Sequence, residues 1–184
     1  MKIFSVQEMI DAERAADASG HSYAVMMELA GRGFAQKLIE EADVWTRPVV
    51  VLVGPGNNGG DGLVAARVMA QQNIAVSVFM THSRSEADLN HQKLLDLGVQ
   101  TITLDEFGTV ELLEEHLARC GVIVDALLGT GANRPITGVV ATVLELAAGA
   151  IYRDQKFVAA IDCPSGMNCD TGTWDALSLS LIHI

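Results

Sequence analysis

Apolar residues recur at three- and four-residue steps near the start of the chain, at Val6, Met9 and Ile10. That is the spacing of a helical stripe. Ser5 and Glu8 stand three apart, as in a capping box, and Gly20 marks a stop. A second helical stretch is expected from about Tyr23 to Glu41. After Pro48 the pattern changes. "VVVLV" is an unbroken apolar run, which predicts a strand buried on both faces. From there helical and strand patterns alternate. "LVAARVMAQQ" predicts a helix and "AVSVFM" a strand. Ser83 and Glu86 repeat the capping-box spacing before the helix "ADLNHQKLLDLG". The strand "QTITL", the helix "TVELLEEHLARC", the strand "VIVDAL", the helix "GVVATVLELAAG" and the strand "FVAAID" follow. Two helices and then this alternation predict an α/β fold, a mainly parallel sheet with helices on both faces.

With no repeat or linker in view, one domain is expected over residues 1–178. The end of the chain breaks the pattern. "LSLIHI", residues 179–184, is what CTG-TCT-CTT-ATA-CAC-ATC encodes, a string found in a common transposon sequencing adaptor. Residues 179–184 are therefore expected to be a non-native tail, and genomic DNA read past Trp174 tests this.

Composition narrows the function. Hydrophobic residues make up 49% of the 184, enough for a real core. The formal charge of −11 would repel nucleic acid and anionic membranes, so neither is expected as a partner. The run "VVATVLELAAGAIY" is interrupted by Glu145, and no apolar run reaches the roughly 18 residues of a membrane span. Cys120, Cys163 and Cys169 form no C-x-x-C pair, which fits free thiols in a reducing cytoplasm. Cys163 and Cys169 are expected to be buried or half-buried and inert.

The chemistry gathers at three strand ends. "GPGNNGGDG" follows the first strand, and Gly54, Gly56 and Gly59 have the spacing G-x-G-x-x-G. Glycines allow close backbone approach, and N–H groups at the following helix start can receive a phosphate. The loop is no P-loop, because Gly60 and Asp61 stand where lysine and a hydroxyl residue belong. It is also a poor dehydrogenase fingerprint, since the second strand ends "VFMTHSR" without the ribose-binding acid. Arg84 in that segment is expected at a solvated surface, with contact to a 2′-phosphate as the alternative. "VDALLGTG" places Asp125 at a strand end, and "AIDCPSG" does the same for Asp162. Asn58, Asp125 and Ser165 offer hard oxygens to a cation. Asp125 is expected to face a ligand and contribute little to the core. Without a histidine or cysteine cluster, zinc is not expected.

These words, "GNNGGDGLVAAR", "DALLGTG" and "IDCPSG", together with "MMELAGRGFA", make the chain resemble the YjeF N-terminal domain family, the NAD(P)H-hydrate epimerases. The resemblance covers residues 5 to about 173. It implies a three-layer α/β/α, Rossmann-like domain, often dimeric. It implies an isomerase that interconverts the R and S forms of hydrated NADH and NADPH in cofactor repair. It implies as functional partner an ADP- or ATP-dependent dehydratase acting on the S form, fused in some members. Carried over by motif, Asn57, Asn58, Gly59, Gly60 and Asp61 would contact the hydrate, as would Gly129, Thr130, Gly131, Ala132, Asn133, Arg134, Pro135 and Asp162. Asn58, Asp125 and Ser165 would bind potassium. Asp162 is the first choice for acid/base catalysis and Asp61 the second.

The family's domain continues past Gly172 with further strands and a lysine-bearing segment that this sequence does not contain. "FVAAID" would then be left as a sheet edge. A non-catalytic binding or scaffold module of the same fold is the alternative function. Retention of Asn58, Asp125, Asp162 and Ser165 speaks against it.

Overall fold

The computed structural model describes residues 4–104, 109–131 and 134–179. Two helices, α1 (Val6–Ala18) and α2 (Tyr23–Glu41), precede the sheet. The chain then alternates through β1 (Val49–Val53), α3 (Asn57–Gln71), β2 (Val76–Met80), α4 (Leu89–Asp96) and β3 (Gln100–Thr103). It continues with α5 (Thr109–Arg119), β4 (Val122–Ala126), α6 (Gly138–Asp154) and β5 (Phe157–Ala160). Among the described residues all four strand pairings are parallel, in the order β3-β2-β1-β4-β5. This is the expected α/β architecture.

The continuous apolar run of β1 divides between two cores. Val49, Val51 and Val53 pack with residues of α2 and α3 on one face of the sheet. Val50 and Leu52 pack with residues of α5 and α6 on the other. Every residue of β1 is buried. Alternate side chains point to opposite faces, so a strand covered on both sides must be apolar throughout. Each such side chain contributes about 1.5–3 kcal/mol on burial. Helix α3 packs against both α2 and the sheet and is buried from Gly62 to Met69. Where α2 crosses it, a methyl on Gly31 would lie 2.6 Å from the carbonyl oxygen of Asp61, so the crossing depends on a missing side chain. Arg67 of α3 fastens the same pair through its guanidinium, 2.6 and 2.7 Å from the Glu28 carboxylate oxygens of α2.

Ser5 and Glu8 form the expected capping box on α1. The expected box at Ser83 and Glu86 is corrected. Helix α4 begins at Leu89, where the Asp88 carboxylate accepts from the Asn90 and His91 N–H groups. An aspartate adjacent to the first turn displaced the more distant serine as the cap.

Strand β5 pairs with β4, and among the described residues no other strand pairs with β5, so it is the expected edge. After it the chain makes a short excursion closed by an antiparallel bridge between Met167 and Trp174. Asp175 closes it further, with its N–H on the Gly166 carbonyl and its carboxylate accepting from Ile136 and Leu177 N–H groups. Leu179, the first residue of the expected tail, is buried with the α5–α6 core. Residues 180–184 lie outside the described residues.

Candidate active site

Parallel strands deliver their carboxyl ends to one edge of the sheet, and the order changes direction between β1 and β4. Crevices for ligands form at such a point. The loop after β1 is pinned to β4 by a hydrogen bond from Gly54 N–H to the Ala126 carbonyl, 3.0 Å. A methyl on Gly54 would lie 1.7 Å from the carbonyl oxygen of Leu127, so no other residue permits this approach.

Three loops meet there. A methyl on Gly129, in the loop after β4, would lie 2.8 Å from Asp162 Oδ2 and 3.2 Å from Asn58 Cβ. Asp162 follows β5 in a left-handed backbone conformation, φ 66°. Its Oδ2 accepts from the Thr130 N–H at 2.8 Å. A non-glycine residue at positive φ is strained, and such strain clusters at functional sites. Asn58, Gly129, Thr130 and Asp162 are thus brought together as expected. Gly59 and Gly60 are buried beneath the loop, while Asn57 and Gly131 are exposed. Arg134 and Pro135 lie exposed on the approach to α6. Ala132 and Asn133 fall outside the described residues.

Beneath this rim Asp125 is fully buried, between Leu52 of β1 and Ala160 of β5. Its Oδ1 accepts from Ser165 Oγ at 2.6 Å and from Leu127 N–H at 3.2 Å. Its Oδ2 accepts from Ser165 N–H at 2.8 Å. Burial raises its pKa despite these three donors. The expectation that Asp125 contributes little to the core is corrected. The carboxylate ties the loop after β5 to the sheet, and Ser165 Oγ in turn accepts from the Leu128 N–H at 2.9 Å.

Asn58 is only 7% exposed, and neither its side-chain oxygen nor its nitrogen has a hydrogen-bond partner among the described residues. Leaving both atoms unpaired costs about 1–3 kcal/mol each, so this amide is arranged for something outside the chain. An amide oxygen, a carboxylate and a hydroxyl are hard donor types that together carry little charge. They suit a monovalent cation better than a divalent one. Among the described residues no group of three histidines, cysteines, aspartates or glutamates could hold a metal.

Asp61 is half-buried, and its pKa is raised to about 7. Burial is the largest cause, followed by the charges of Asp162 and of Glu13 on α1. This carboxyl keeps its proton near neutrality and can donate it. A raised folded-state pKa contributes stability that is present below the ordinary aspartate value of 3.8 and lost as pH rises through about 7. Asp61→Asn, neutral at every pH, should therefore gain roughly 1 kcal/mol over the parent at pH 8 after discounting for solvent screening. At pH 4 the two should coincide. Urea titrations at both values check this, and a difference between the two proteins that is the same at pH 4 and pH 8 would show that the Asp61 pKa is not raised.

Two contributions escaped the sequence reading. Glu13 bears on Asp61 from a helix far away in the chain. Arg84, expected at a solvated surface, has a side chain only 13% exposed and reaches back to the glycine loop. Burial raises the Cys163 thiol above the usual range, as it does that of Cys120, whereas Cys169 is exposed and not buried as expected.

The sequence profile of the YjeF-related protein N-terminus matches residues 23–181. The bifunctional NAD(P)H-hydrate repair enzyme Nnr of Thermofilum pendens is 36% identical over 178 residues, 94% of this chain and 33% of that protein. The NAD(P)H-hydrate epimerase of Pirellula staleyi is 36% identical over 152 residues, 80% of this chain and 64% of that protein. The crystal structure of the yeast protein ynu0 superposes with a TM-score of 0.85 at 24% identity, over 98% of this chain and 78% of that one. The chain therefore spans a third of the first relative's length and somewhat under two thirds of the second's.

Proposed function

Because the chain belongs to the YjeF-related N-terminal family, we propose that it is an isomerase interconverting the R and S forms of hydrated NADH and NADPH. The observation that carries the reading is the meeting of Asn58, Gly129 and Asp162 at the sheet edge, beside a carboxyl with a pKa of about 7.

The reaction inverts a carbon that bears a hydroxyl beside the ring nitrogen, so a proton must be supplied and removed. One bond to that carbon breaks and re-forms on the opposite face. Asp61, in its neutral form, gives a proton to the departing atom, and Asp162 takes one from the atom left on the carbon. Both transfers reverse on closure, so the two carboxyls end as they began. The first-turn N–H groups of α3 have no acceptors within the helix and face an anion well. They would receive the pyrophosphate, with Thr130 and Gly131 on the far wall. Asn58, Asp125 and Ser165 would hold potassium, which when bound offsets the buried negative charge beside an anionic substrate.

Asp125→Asn should abolish the dependence of turnover on potassium. It should also lower stability by about 1–3 kcal/mol, because an amide cannot accept both Ser165 donors and Leu127 as the carboxylate does. Turnover measured against potassium chloride, alongside a denaturant midpoint, checks both parts. An unchanged potassium response would remove Asp125 from the cation site.

Relatives named as bifunctional repair enzymes support pairing with an ADP- or ATP-dependent dehydratase, fused or separate. A homodimer in the cytoplasm belongs to the same proposal, supported there by free thiols. Among the described residues no helix is long and apolar enough to cross a membrane.

The test begins with mixed hydrates depleted by an S-specific dehydratase until only R remains, kept in mild cold at raised pH. Adding this protein with potassium should speed the loss of R. Loss no faster than without protein, from a chain shown to be folded, would overturn the epimerase reading.

A further inference from the structure

The glycine loop contains no lysine, yet a cation sits against its inner side. Arg84 Nη2 donates to the Gly54 carbonyl at 2.6 Å and to the Gly56 carbonyl at 3.3 Å. Arg84 Nη1 lies 3.2 Å from Asp88 Oδ2. The other oxygen of Asp88 caps α4. Gly59 passes so close that a methyl there would lie 2.4 Å from Arg84 Nη2 and 2.0 Å from the Gly54 carbonyl oxygen. The first turn of α4 is fastened in turn to α2, where Asn90 Nδ2 donates to the Met27 sulfur at 3.3 Å. Met27 also covers Gly60 of the loop. The loop thus rests on an unbroken series of contacts that begins at a helix cap.

We propose that Arg84 is a positioning residue for the substrate-binding loop, holding the Gly54 and Gly56 carbonyls inward so that the first-turn amides of α3 face the substrate. In a trans peptide the N–H points opposite to the C=O. The Gly56 carbonyl, shared between Arg84 and the Gly60 N–H of α3, thus leaves the Asn57 N–H on the other side, where an anion would arrive. Gly54 precedes Pro55, which has no N–H, so its peptide offers only a carbonyl. A loop meant for an anion must turn that carbonyl away, and a guanidinium fork accepts it together with its neighbour. The two Nη groups of Arg84 are committed to the loop and to Asp88, and its Nε is buried, which argues against a role in reading a 2′-phosphate.

This inference rests on the epimerase reading for its kinetic part and on the loop alone for the rest. The experiment compares the parent with Arg84→Gln and Arg84→Lys in two measurements. Hydrogen exchange of residues 54–61 without ligand should quicken about tenfold or more in Arg84→Gln, with the core strands unchanged. KM should rise about tenfold for both the NADH and the NADPH hydrate, with kcat changed much less. Arg84→Lys should recover only part of either effect, since a point charge cannot reproduce the fork. It also serves if the glutamine variant fails to fold. Unchanged loop exchange in the folded variants would overturn the proposal, as would a KM rise confined to the NADPH hydrate. A parent protein without epimerase activity, combined with quickened loop exchange in the variants, would sink the activity and support the positioning role.

Discussion

Asp162→Asn is expected to lower turnover by about a hundredfold or more, the usual contribution of a positioned acid/base, while the protein stays folded. Asparagine tolerates the left-handed backbone that Asp162 adopts at φ 66°. Its side-chain oxygen can still accept from the Thr130 N–H, which now donates to Asp162 Oδ2 at 2.8 Å. The side chain is exposed, so no buried charge is orphaned. The change therefore removes the ability to take up a proton and little else. Initial rates of R-hydrate loss and a thermal midpoint separate the two effects. Near-normal turnover would reject Asp162 and shift the chemistry to Asp61.

Gly54→Ala carries the largest expected loss of stability, about 3 kcal/mol or more, since overpacking against rigid backbone has no cheap relief. The added methyl meets the Leu127 carbonyl carbon and oxygen, which cannot rotate away as a flexible side chain would. The Gly54 N–H is bonded to the Ala126 carbonyl, so retreat of the loop would also break that tie. β1 and β4 are the middle of the sheet, and parting them affects both cores. The urea midpoint of the variant measures the effect. A variant as stable as the parent would mean that the two loops stand further apart than described.

The sheet and its helices were legible because burial leaves a periodic mark. β1 must be apolar on both faces, and α2 kept its expected limits. Capping was harder, because Ser83 with Glu86 and Asp88 alone are both chemically sound starts for α4, and only the path of the chain after β2 selects between them. At the site, Asn58 and Asp61 announced themselves within the glycine-rich run, and Asp125 and Asp162 at strand ends four residues before a glycine. The burial of Asp125 did not, since an acid inside a sheet looks the same in sequence as one at its rim. Arg84, Glu13 and Asp175 act across long separations, and no local pattern records the partner of a side chain that reaches 28 residues back to Gly56.

Helix α1 buries none of its residues. Its described ties include the bonds from Val6 N–H to Asp170 Oδ1 and from Tyr23 N–H to Asp17 Oδ1. An element with so little buried surface opens at a small fraction of the free energy needed to unfold the whole domain. Each opening carries Glu13 away from Asp61, removing one of the charges that keep that carboxyl protonated. The acid strength of Asp61 is thus not a single number for the folded protein. It fluctuates with the first helix, weaker while α1 is docked and stronger each time it departs, so proton affinity at the sheet edge is coupled to a motion that leaves the core untouched.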